Sequence, residues 1–174
     1  MKAGFFSTDI TAPVGTMQAG NYSPQYLTGV AGPLKVRAAI FEQDGFLTAF
    51  AGVDCCVVSK ETIARALDFA LQKGGLKLDY HIISASHTHS AAAVSSFFDL
   101  ELLNNADPRV RNLLQDSPVP DAWYTDWVVR QLGTALIMAS RRLEPALINC
   151  GSGEDAAMIF NRRFFLKDGR AYTH

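Results

Sequence analysis

Residues 46–53, Phe46-Leu47-Thr48-Ala49-Phe50-Ala51-Gly52-Val53, and residues 80–85, Tyr80-His81-Ile82-Ile83-Ser84-Ala85, are two short apolar runs on either side of an amphipathic stretch. Their length and near-continuous apolarity suit strands buried on both faces. Between them, residues 59–73 have helical periodicity. Ile63, Ala66, Leu67, Ala70 and Leu71 share one face, Ser59 suits the N-cap, Glu61 the first turn, and Gly74 the stop. Strand, helix and strand together predict a right-handed βαβ crossover with parallel strands. This unit decides the fold class: α/β, a mixed sheet flanked by helices.

Working outward, Leu34 to Glu42 reads as a strand joined to the first run by the tight turn Asp44-Gly45. Residues 3–10 read as another strand. Between these, residues 15–33 form a long loop rich in Gly, Pro, Asn and Ser, a length usually tied to function or disorder. Downstream, residues 97–104 and the stretch opened by Asp107-Pro108 suit short helices. A long helix is expected from Asp121 to Leu143, with Tyr124, Val128, Leu132, Ala135, Leu136 and Ala139 on its buried face and Pro145 ending it. Ala146 to Cys150 reads as a strand, and Arg163 to Thr173 as a hairpin turning at Asp168-Gly169. The chain has 174 residues, which suits one domain over 1–174. It stops in an expected strand, so the sheet is expected to be incomplete at its C-terminal end. An unpaired edge there would favour association or aggregation, with a homo-oligomer as one form of it.

Charge narrows the function classes. Sixteen Lys and Arg nearly cancel seventeen Asp and Glu, for a net charge of −1. No basic excess drives binding to nucleic acid. No run reaches the length of a membrane span. The first residues lack the apolar stretch of a signal peptide, which points to the cytoplasm. Three cysteines make no disulfide framework, and without CxxC a cysteine zinc site is disfavoured. Cys55 and Cys56 read as small buried hydrophobes.

The strongest chemical signal is Ser86-His87-Thr88-His89-Ser90, directly after the second apolar run. Ligands of open α/β sheets bind outside the carboxyl ends of the strands. Asp54 follows the first run in the same way, so Asp54 and His87 should share one rim. Asp54 needs a partner there, and a metal or a metal-bound histidine would serve. On extended backbone, residues i and i+2 point the same way, so both imidazoles would face one site. Metal binding and ordinary hydrogen-bonded histidines at a strand end both fit this spacing. His81, inside the strand, reads as a core or sheet-facing histidine. Asp9 is expected to cap the turn after the first strand through its own side chain. Arg162 or Arg163 after Asn161 suits either an anion site or a solvated hairpin edge.

Taken together, these pieces resemble the neutral/alkaline ceramidase family. The resemblance rests on Asp9-Ile10-Thr11, Gly20-Asn21-Tyr22, Gly29-Val30, Val36-Arg37-Ala38, Val53-Asp54, Ala85-Ser86-His87-Thr88-His89-Ser90 and Asn161-Arg162, in family order. It covers nearly the whole chain, but only the N-terminal part of the family's larger catalytic domain. It implies a zinc-dependent amidohydrolase whose metal-bound water cleaves N-acylsphingosine to sphingosine and a fatty acid. His87 would be a zinc ligand, His89 the neighbouring catalytic histidine, and Asp54 a supporting site residue. Asn161 and Arg162 would lie near the substrate, a lipid or other small-molecule amide. The family's remaining ligands fall beyond residue 174, which implies a fragment with little activity alone. One departure is local: Ala91-Ala92-Ala93 follows Ser90 where the family has Gly-Pro, so the turn should differ. A metallohydrolase of a non-lipid amide or ester, and a non-catalytic binding or assembly module, are the competing readings.

Overall fold

The computed structural model describes residues 1–21, 23–96, 104–114, 117–157 and 161–173. Tyr22, His174 and most of the helix expected over 97–104 lie outside them. Strands β1 (Lys2–Asp9), β2 (Lys35–Gln43), β3 (Phe46–Val53), β4 (Tyr80–Ala85) and β5 (Glu144–Pro145) form one sheet in the order β4-β3-β2-β1-β5. The β3–β4 pair is parallel and the others antiparallel. Helix α1 (Lys60–Gly74) connects the parallel pair, α2 (Pro108–Leu114) is short, and α3 (Ala122–Ser140) packs on α1, β1 and β2. Strands β6 (Arg163–Phe165) and β7 (Ala171–Thr173) make the expected hairpin, but as a two-stranded sheet of its own. The α/β class and the mixed sheet stand as read.

The core lies between one sheet face and the two long helices. Val36, Ala38 and Ile40 of β2 and Ala49, Ala51 and Val53 of β3 meet Tyr124, Val128, Leu132, Ala135, Leu136 and Ala139 of α3. All six α3 positions expected from periodicity are buried. The Tyr124 hydroxyl donates to the Ile10 carbonyl at 2.6 Å inside this core. Burial pushes that phenol above its ordinary range.

Several expectations need correction. β3 and β4 are not covered on both faces. Phe50 is 44% exposed and Ile82 60%, because the helices cover only one side of the sheet among the described residues. His81 sits on the edge strand and is exposed instead of lying in the core. Gly74 is the last residue of α1, and Gly75 takes the left-handed cap at φ 65° with its N–H on the Leu71 carbonyl. Leu71 is exposed, while Phe69 packs on the core. Helix α3 ends at Ser140, ahead of Leu143. Residues 146–150 form no strand. The antiparallel register pairs Lys2 with Pro145, and the Ala146 N–H reaches the Met1 carbonyl, the last described bond between this segment and the first strand.

Candidate metal centre at the parallel strand ends

The parallel register aligns Val53 with Ala85, so the segments after β3 and β4 leave the sheet at one rim. The Ser86 N–H donates to the Val53 carbonyl at 2.9 Å and ties the two exits together. The shared rim is as the sequence predicted. The backbone is not extended, however. His87 takes φ 62°, a left-handed conformation uncommon outside glycine. The rings still converge, with centroids 5.0 Å apart and Nε2 to Nε2 at 3.4 Å.

Each ring is held from behind. Nδ1 of His87 lies 2.9 Å from the Cys56 carbonyl oxygen. A proton on that nitrogen makes Nε2 the acceptor atom, the usual arrangement of a metal-binding histidine. His89 is fixed through its backbone, where the Gln18 side-chain amide donates to its carbonyl at 2.6 Å. Gly20, at φ 91°, lies flat against the His89 ring. The long loop is therefore an ordered support. Met17 bridges Tyr26, and Gln18 bridges Ala92. The Ala19 and Ala93 N–H groups donate to the Ala91 and Met17 carbonyls. Ala91, Ala92 and Ala93 are all buried, which explains small residues in the segment after Ser90.

Asp54 is on the rim but turns the other way. Its carboxylate accepts from the Lys35 N–H at 3.0 Å and from Arg37 at 2.7 Å. Arg37, across the β2–β3 register, is thus the partner the carboxylate required. Asn161 accepts from the Arg163 N–H at 2.9 Å, and Arg162 is exposed beside it. Both stand at the start of the β6–β7 hairpin, a sheet separate from the one that carries the histidines. Asp9 caps its turn as expected, accepting from the Thr11 N–H at 2.8 Å. That bond holds its carboxyl below the usual carboxylate range.

Sequence reasoning passed over Cys56. It is 2% exposed, as a buried hydrophobe should be, and its Sγ is 3.8 Å from Nδ1 of His87. Donor atoms of Cys56, His87 and His89 all lie within 4.8 Å of one another. The absence of CxxC had pointed away from cysteine. The signal that would have found Cys56 is position: it stands two residues past Asp54, on the rim that His87 shares. Cys55 faces the core instead, and burial pushes its thiol up to about 12.

The donor set fits a zinc-like cation. Two nitrogens bound tetrahedrally at about 2.0–2.1 Å stand about 3.4 Å apart, and the histidine Nε2 atoms are separated by 3.4 Å. Two imidazoles and a thiol are also the side chains zinc prefers.

The fold is similar to that of neutral ceramidase. The chain superposes on neutral ceramidase from Pseudomonas aeruginosa with a TM-score of 0.66 and 19% identity, over 83% of this chain and 22% of that one. A ceramidase complexed with C2 gives a TM-score of 0.64 and 18% identity, again over 83% and 22%. The chain thus spans less than a quarter of the length of these ceramidases. No protein-family model and no curated protein matches it.

Proposed function

We propose that this chain forms part of the active site of a zinc-dependent amidohydrolase that cleaves a lipid amide of the N-acylsphingosine type. The observation that carries the reading is the convergence of His87 and His89 at the carboxyl ends of parallel strands, in a fold similar to that of neutral ceramidase. When bound, zinc lowers the pKa of its water towards about 7 and polarises the scissile carbonyl.

The remaining work belongs to the protein. The Cys56 carbonyl orients His87, so the imidazole meets the metal without a search over rotamers. In the substrate complex, where it is not a metal ligand, His89 orients the attacking water and the developing oxyanion, and the loop at Gln18 and Gly20 holds its backbone in place. Asp54 fixes the rim through Lys35 and Arg37. Asn161 and Arg162 contribute polar contacts to the substrate head. Ser90, next to His89, lines a small cleft of about 180 Å³ with Leu27, Val30 and Leu34, which suits an apolar chain. No helix among the described residues is long and apolar enough to cross a membrane. Three free thiols suit a reducing compartment such as the cytoplasm.

The test is amide hydrolysis by the protein that carries this chain, assayed on short-chain ceramides and on non-lipid acyl amides of equal acyl length. Turnover of ceramide, lost in a folded His87→Ala variant, is expected. Turnover of the non-lipid amides alone would move the substrate class. Activity untouched by His87→Ala would refute the site.

A further inference from the structure

We infer that Cys56 is a metal ligand: in the substrate-free chain its thiolate joins His87 and His89 in holding a thiophilic divalent cation. The inference deepens the reading of His87 as a metal-binding residue and rests on it. It adds a sulfur donor that spacing motifs did not indicate.

Three observations converge. Cys56, His87 and His89 bring their donor atoms within 4.8 Å of one another. The two nitrogens already stand at the separation of a tetrahedral edge. Backbone geometry aims the set: the Ser86 N–H joins the β3 and β4 exits, and His87 adopts an uncommon left-handed φ of 62°. Strain of this kind persists only where surrounding structure imposes it, and it clusters at ligand sites.

The chemistry follows from the donors. A tetrahedral edge between nitrogen and sulfur is about 3.6 Å for bonds of about 2.05 and 2.3 Å. Sγ of Cys56 lies within 4.8 Å of the histidine ligand atoms and sits on a single χ1 rotor, so rotation about χ1 with a small closing of the cluster brings it to the cation. On binding, the thiol releases its proton to solvent and the sulfur lone pair forms the bond; no electron is transferred. Three donors from this chain would leave one tetrahedral position for a further ligand. A thiolate favours zinc, cobalt and cadmium over magnesium or calcium. Cys55 cannot substitute, because its Sγ points to the Val57 carbonyl at 3.4 Å in the core. Cys150 is exposed on a separate segment.

Cobalt(II) titration of the reduced 174-residue chain tests this. About one cobalt per chain is expected, with a thiolate-to-cobalt charge-transfer band in the near ultraviolet. Cys56→Ser should abolish the band and weaken binding by about tenfold or more, while Cys150→Ser should change neither. X-ray absorption of the zinc-loaded wild type gives a readout independent of any variant's folding, with one sulfur expected at about 2.3 Å. Cobalt bound without the band, and lost in His87→Ala, would overturn the Cys56 assignment and leave His87 as a metal residue. A band that survives Cys56→Ser would also overturn it. A folded chain that binds no cobalt would overturn both.

Discussion

Gly20 has two reasons to be glycine, and both act on the site. Its φ of 91° is left-handed, and a Cβ built there would overlap the His89 ring. Either alone disfavours alanine. We therefore expect Gly20→Ala to push His89 away from His87, and to cost about 1–3 kcal/mol of stability through strain and displacement. Denaturant midpoints read the stability. Cobalt affinity of the still-folded variant reads the site, and an unchanged affinity would show that His89 does not need this support. The two histidines were legible in the sequence because their position after an apolar run is itself a structural statement. Cys56 was not, because its neighbours in sequence, Asp54 and Cys55, face elsewhere: one towards Arg37 and the other into the core. Nor could the Arg37 partner of Asp54 be read, since it depends on the antiparallel register of β2 and β3.

At the scale of elements, periodicity succeeded where a helix had one strongly apolar stripe and failed where a closer contact overrode it. Helix α3 presents its expected face to the sheet. In α1 the expected stripe holds at Ala66, Leu67 and Ala70 but fails at its end: Leu71 is exposed, and Phe69 turns inward over Gly133 of α3. A Cβ on Gly133 would stand 2.5 Å from Phe69 and 2.9 Å from the Ala66 carbonyl oxygen. Phe69 can swing aside, but the carbonyl belongs to the α1 backbone. An exposed helical Gly→Ala change stabilises by about 1 kcal/mol; here the helices must separate instead. Gly133→Ala is expected to be net destabilising by about 1–3 kcal/mol, measured as a lower denaturant midpoint with unchanged slope. A stabilised variant would mean that the helix pair is looser than its contacts indicate. The expected strand at 146–150 failed for a different reason. Local apolarity was present, but a strand requires a partner, and among the described residues the pairing with β1 stops at Pro145.

At the scale of the whole molecule, the covered and uncovered faces of the sheet set its surface behaviour. Phe5, Phe50 and Ile82 lie in one row across the sheet through the registers Phe5↔Ala39, Ala39↔Phe50 and Phe50↔Ile82. Tyr80 stands two residues along β4 from Ile82 and is 64% exposed. A groove of about 770 Å³ runs over this face, lined by Phe5, Phe50, Ile82 and Arg37 among others. The apolar runs of β3 and β4 looked like strands buried twice because composition records how apolar a strand is, not whether a second layer lies on it. An apolar patch left open to water binds hydrophobic dyes. The chain in isolation is therefore expected to bind anilinonaphthalene sulfonate while fully folded. Tyr80→Thr/Ile82→Thr keeps β propensity and alters two exposed positions. It should weaken the dye signal while moving stability by less than about 0.5 kcal/mol. Dye fluorescence that is unchanged in the double variant would place the bound dye elsewhere. Fluorescence that rises together with a lower unfolding midpoint would instead show that these two side chains pack against something, and that the face is covered.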